Sequence, residues 1–170
     1  MAVRLLKAVL VLCAGLQSLL YALQNIANLD PAFGAVAYVL SNADHVVYPN
    51  SIGPAITSAP LVWIALTTII ALETLAGLIA IKGAHDLYRA RGADAAQFDA
   101  AKTAALIGCG LGMIVWFGFF LAIGGAYFQM WQTEVGGSSF DGAFVYMLTN
   151  AAVYIIVAMR ERDPARASSA

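Results

Sequence analysis

Residues 67–84 read TTIIALETLAGLIAIKGA, and Glu73 stands in the middle of an apolar run long enough to cross a membrane. A carboxylate at bilayer depth costs roughly 2.5 to 3.5 kcal/mol even on lenient insertion scales, so its presence asks for a partner or a purpose. Only 11% of the 170 residues are charged and 61% are hydrophobic, and mean hydropathy is strongly positive. That composition does not suit a soluble domain with a charged exterior, and it places the chain among integral membrane proteins. A chain of this length holds one membrane domain, residues 1–170, and no nucleic-acid partner is expected.

Crossing a hydrocarbon core of about 30 Å takes about 20 residues of helix. Four stretches qualify: 5–28, 61–84, 103–123 and 142–159. They are continuously apolar and rich in Ala and Leu, whereas barrel strands alternate with period two. The fold class expected is therefore all-α, a four-transmembrane-helix bundle. All basic residues fall on one side of that model. Arg4 and Lys7 precede the first span, Lys82, Arg89, Arg91 and Lys102 surround the second connection, and Arg160, Arg162 and Arg166 follow the fourth. The positive-inside bias then puts both termini in the cytoplasm. The two outer connections carry Asp30, Asp44, Glu134 and Asp141 with no Lys or Arg, as translocated segments commonly do.

The basic start and apolar run of MAVRLLKAVLVLCAGL resemble a signal peptide, but the apolar stretch continues well past signal-peptide length and lacks a placed cleavage site. Leu12 occupies the position where a lipoprotein site before Cys13 would need a small residue. The first outer connection contains PAFGAVAYVLSNADHVVYPN, which predicts a short interfacial helix closed by Pro49 and Asn50. The second, GGAYFQMWQTEVGGSSFDG, sets Tyr127, Phe128, Met130 and Trp131 between two Gly pairs. These side chains read either as an aromatic belt at headgroup depth or as a docking surface for another membrane subunit. The cytoplasmic connection mixes both charge signs, and the second helix is expected to run on towards a turn at Gly92.

Within the first span Cys13, Gln17, Tyr21, Gln24 and Asn28 recur at steps of three and four, so they share one stripe of a helix. Amides facing lipid would be unsatisfied, which predicts that the stripe faces other helices. Gln17 and Asn150 are the expected hydrogen-bond partners of Glu73. No Lys, Arg or His lies at comparable depth, and a protonated carboxyl there both donates and accepts a hydrogen bond. Two readings of Glu73 stay open: a proton or cation site, or interhelical glue worth on average about 0.6 kcal/mol per hydrogen bond.

In the third span Gly108 and Gly112 form a G-x-x-x-G, which predicts close helix packing within the bundle. Cys13 and Cys109 read as small buried hydrophobes. There is no C-x-x-C and no metal-ligand spacing, and His45 and His85 lie on opposite sides of the membrane, where they cannot share a haem. No phosphate loop, nucleophile elbow or dinucleotide fingerprint occurs. No catalysis and no cofactor are expected.

QNIAN, the span SAPLVWIALTTIIALETLAGLIAIKGAHDL with its central Glu73, FDAAKTAALIGCGLG and above all GGAYFQMWQ resemble a group of bacterial small integral membrane proteins catalogued as a domain of unknown function. The resemblance covers nearly the whole chain and implies four spans in a bacterial inner membrane. After the paired Gly that family often carries an acidic residue and a Trp, where this chain has Ala126 and Tyr127. The functional expectation is a non-catalytic accessory or assembly subunit. Its partners would be the lipid bilayer and a larger membrane complex or a second copy. The alternative is a small proton or cation transporter built on Glu73 with Gln17, Tyr21, Gln24 and Asn150.

Overall fold

The computed structural model describes residues 1–161, so Arg162 and Arg166 of the basic C-terminal run lie outside it. The described residues form helices and connections, with no strand among them. Helix α1 spans Ala2–Ala27 and stops at Asn28, whose backbone (φ −127°, ψ 48°) leaves the helical region. Helix α2, Leu29–Leu40, starts at once, with Pro31 in its first turn, where a missing N–H costs nothing. The predicted outer helix therefore exists, but it ends at Leu40 and not at Pro49. Asn42 and Asp44 take left-handed backbone at φ 54° and 57°, a conformation these two residue types tolerate and a helix cannot contain.

Helix α3, Ala59–Ala90, has Pro60 in its first turn and continues well beyond residue 84 towards the turn at Gly92, as expected. Asp94 caps the short α4, Ala95–Ala100, by accepting from the Gln97 amide at 2.8 Å. Helix α5, Thr103–Met113, passes without a break into a π-helix over Ile114–Tyr127. There each N–H bonds five residues back, and Phe128 closes the run by donating to the Ile123 carbonyl at 2.9 Å. π-helices usually occur as single turns. The wider turn sets Val115, Trp116, Gly124 and Gly125 inward, at spacings an α-helix would not keep in phase.

After Gln129, in left-handed backbone, and a 3-10 turn at Met130–Gln132, helix α6 runs over Glu134–Ala158. It starts at Glu134, earlier than the expected Gly142, because the Thr133 hydroxyl accepts from the Gly136 amide at 3.1 Å and caps it there. Four segments are long and apolar enough to cross a membrane: Ala2–Ala27, Ala59–Ala90, Ala95–Tyr127 and Glu134–Ala158. They form the four-helix bundle that the hydropathy pattern predicted.

α3 is central, packing on α1 along one flank and on α5 along the other, while α6 joins through α5 and the π-helix and touches α1 only lightly. Small residues make the close crossings, as expected where lipid supplies no hydrophobic drive between helices. A Cβ on Gly108 would stand 2.5 Å from the Ala80 amide nitrogen, and one on Gly112 would stand 2.6 Å from Asn150 Oδ1. The G-x-x-x-G is thus consumed inside the bundle. On α6 the buried residues are Gly136, Ala143, Asn150 and Val157, one in every seven, so a narrow seam holds this helix and most of its surface faces outward. Arg4 and Lys7 at one end of α1 bond to Glu161 beyond α6, which puts both ends of the described chain on one face of the bundle.

Candidate functional site: a buried carboxyl, a ring trio and two locked connections

Glu73 is only 1% exposed and sits on the face of α3 that also carries Ala76, Gly77 and Ala80. Its Oε2 accepts from Asn25 Nδ2 at 3.0 Å, and its Oε1 is buried with no protein partner among the described residues. The partner is therefore Asn25, not Gln17. Gly15 lies against Ala80 and Ile81, and Gly77 against Leu19, so the antiparallel α1–α3 pair places Gln17 between the levels of Gly77 and Ala80. That is a turn or more away from Glu73.

The face of α1 that meets α3 is set by Ala8, Val11, Ala14, Gly15, Ser18 and Ala22, and Asn25 continues it. The stripe of Cys13, Gln17, Gln24 and Asn28 lies off that face. Cys13, Gln24 and Asn28 are exposed and Gln17 is half-buried, which corrects the expectation that they line the bundle interior. Asn28 instead donates to the Gln24 carbonyl at 2.8 Å and to Gln24 Oε1 at 3.4 Å along its own helix.

Tyr21 does enter the interior. Its ring meets Trp116 edge-on at 5.3 Å and Tyr146 at 4.8 Å, while Trp116 and Tyr146 are 5.0 Å apart. The trio thus draws on α1, the π-helix and α6, and the Tyr21 and Tyr146 hydroxyls share a hydrogen bond. Trp116 Nε1 is buried without a partner among the described residues. Asn150 is buried one turn along α6, and its Nδ2 donates to the Tyr146 carbonyl at 2.9 Å. It bonds within its own helix and makes no hydrogen bond to Glu73.

Of the four aromatic and Met residues of the second connection, Phe128 and Met130 are buried within the chain. They present almost no surface: Met130 packs against Gly124 and against Gly136 at the start of α6, and Phe128 lines a cavity beside α2 and α3. Tyr127 and Trp131 remain at the surface, with Trp131 edge-on to Tyr48 at 5.7 Å. Gln132 fastens the two connections together. Its Oε1 accepts from the Val47 and Tyr48 amides at 2.9 and 2.7 Å, and its Nε2 donates to Gln129 Oε1 at 2.6 Å and to the Tyr48 carbonyl at 3.3 Å. Between α2, α3, the π-helix and α6 lies a cavity of about 130 Å³ lined by Val36, Val39, Ile69, Phe120, Ile123 and Phe128 among others.

At the opposite end, sequence reasoning missed a charged knot. Lys7 and Lys102, both buried, donate to the Met159 carbonyl at 3.2 and 2.6 Å. Lys7 Nζ also lies 2.7 Å from Glu161 Oε1, Arg4 Nε 3.2 Å from Glu161 Oε2, and Lys102 Nζ 2.5 Å from Asp99 Oδ1. Arg4 stands over the Phe98 ring at 4.6 Å. Burial pushes the Glu161 carboxyl up, but the hydrogen bonds from Lys7 and Arg4 outweigh it and hold the group below its ordinary value. Lys7 and Lys102 thus meet the C-terminal end of α6, and Arg4, which donates to the Ala93 carbonyl, meets that of α3, where orphan carbonyls and the negative dipole end favour cations.

Chemically, the interior offers one carboxyl with a single donor and an unpaired indole N–H. Among the described residues no three His, Cys, Asp or Glu side chains gather to hold a metal. No curated protein and no solved structure matches this chain. Residues 3–160 match the family model described as "Predicted small integral membrane protein (DUF2165)", and the chain, with its four apolar helices, belongs to that family of multi-pass membrane proteins.

Proposed function

We propose that the protein is a non-catalytic accessory or assembly subunit of a larger complex in a bacterial inner membrane, with both termini cytoplasmic and the Gln132-locked connections outside. One observation carries this reading: the locked connections display Val46 at 84% and Ile52 at 79% exposure, flanked by exposed Val47 and Tyr48. Apolar side chains held on a fixed backbone, beyond the helices that span, form a surface that a partner can cover without an ordering cost. The one-sided distribution of Lys and Arg supports the sidedness.

The test is tagged purification in mild detergent with mass spectrometry of what travels with the protein. A larger membrane protein in fixed stoichiometry, lost on Ile52→Glu while the bundle still melts normally, is the expected result. An undiminished complex in that variant counts against the surface named here.

A second reading is favoured by the unpartnered Glu73 Oε1, which leaves the carboxyl free to hold a proton or a small cation in a transporter-like role. It requires that Glu73→Gln, which keeps the acceptor for Asn25, abolish flux in liposomes. Unchanged flux removes it.

A further inference from the structure

Close crossings fix the depth of each span against the next. Gly77 meets Leu19 on α1, Gly83 and Gly108 join α3 to α5 through Ala105 and Ala80, and Gly112 meets Asn150 on α6. Each pair runs antiparallel, so counting on from these contacts sets Glu73 opposite Ala22, Leu72 opposite Trp116, and Trp116 opposite Tyr146. Side-chain packing agrees: Leu72 lies against the cluster of Val115 and Trp116, and the Trp116 ring touches those of Tyr21 and Tyr146. Tyr21, Glu73, Trp116 and Tyr146 therefore form one layer at one depth, with a side chain from each of the four spans.

Two atoms of this layer are unpaired, and they are opposite in kind. Among the described residues neither Glu73 Oε1 nor Trp116 Nε1 has a hydrogen-bond partner, although the two residues are 1% and 3% exposed. Buried polar groups almost always find a partner, and an unpaired one points to water or an ion. An indole N–H can only donate, so it turns its positive end on a bare cation, whereas a carboxyl oxygen accepts. One molecule satisfies both if it accepts from the first and donates to the second. Room for it arises because the Gly and Ala crossings close the helices elsewhere, while here three rings and the wider turn of the π-helix, which begins at Ile114, hold them apart.

We infer that the layer binds a water molecule that accepts from Trp116 Nε1 and donates to Glu73 Oε1. A buried water takes two to four polar partners. The Tyr21 and Tyr146 hydroxyls, which bond each other in the same layer, keep lone pairs free to supply a third. The water ties α3 to the π-helix, two elements that touch only lightly by direct packing. Its place in the layer does not depend on the loop face, nor on whether Glu73 carries a proton or cation across, and so it stands or falls separately from both readings above.

Solid-state NMR of the isotope-labelled protein in lipid bilayers, reading magnetisation passed from water to individual nitrogens, is the test. Transfer to Trp116 Nε1 is expected to be well above that to the Ala76 amide, which is 0% exposed on the same helix as Glu73. That comparison needs no variant beyond Trp116→Phe, whose missing signal identifies the indole. Glu73→Gln, which keeps a polar group for the water, retains the transfer, and Glu73→Leu loses it. Transfer to Trp116 no faster than to Ala76, or unchanged in Glu73→Leu, overturns the inference. A shift of the Trp116 signal when sodium replaces potassium also overturns it, because a cation would then occupy the layer.

Discussion

Asn25 Nδ2 lies 3.0 Å from Glu73 Oε2 across the antiparallel α1–α3 contact, and among the described residues it is the one side-chain donor that Glu73 meets. Interhelical hydrogen bonds in membranes average about 0.6 kcal/mol and reach about 1.7. Asn25→Leu is expected to cost about 1 kcal/mol, because it leaves both carboxyl oxygens unpaired. Glu73→Gln, which keeps the acceptor, should cost less. Thermal unfolding in detergent reads the difference, and equal melting temperatures for the two variants would mean that the contact contributes nothing.

Gly108 and Gly110 differ sharply in what surrounds them. A Cβ on Gly108 would stand 2.5 Å from the Ala80 backbone, whereas nothing lies within 4 Å of one on Gly110. Gly108→Val should therefore force α3 and α5 apart, costing about 3 kcal/mol or more. Gly110→Ala should be neutral or stabilising by up to about 1 kcal/mol through helix propensity. Membrane expression and melting temperature of the pair check this, and equal losses would contradict the packing.

The knot around Glu161 gives a pH dependence with a definite sign. Its folded-state value lies below the ordinary 4.5, so the stabilisation is fully present above that pH and is lost as pH falls through the folded value. Glu161→Gln removes charge-assisted hydrogen bonds to Lys7 and Arg4, at a cost of about 1.5 to 3 kcal/mol at neutral pH. Melting curves between neutral and acid pH should converge for the two proteins as pH drops below 4.5. Parallel curves would deny Glu161 this role.

Tyr146 separates ring packing from hydroxyl bonding in the trio. Tyr146→Phe loses only the bond to the Tyr21 hydroxyl and should cost less than about 1 kcal/mol. Tyr146→Ala also removes ring contacts with Tyr21 and Trp116 and should cost about 3 to 5 kcal/mol. Similar unfolding midpoints for the two variants would show that the rings contribute little.

The spans were legible because length and hydropathy act at the scale of whole helices, and the run of α3 past residue 84 because the next turn residue is Gly92. The partner of Glu73 was not. The alignment of α1 on α3 is set by Ala, Gly and Ser, which let backbones approach, and the spacing of the amides, which points to Gln17 and not to Asn25, carries no trace of it. The π-helix leaves no mark in a continuous apolar run, so the burial of Phe128 and Met130 could not be foreseen. Lys7 and Lys102 served as markers of sidedness. That count uses residue identity alone and says nothing of the carbonyl of Met159 or the carboxyl of Glu161 that let them be buried.

The most direct measurement is the mass of the intact assembly released from native membranes in mild detergent. The expected result is a larger membrane protein in fixed stoichiometry with this chain, its association lost on Ile52→Glu. A lone chain, or a homodimer with no other protein attached, would contradict the accessory role.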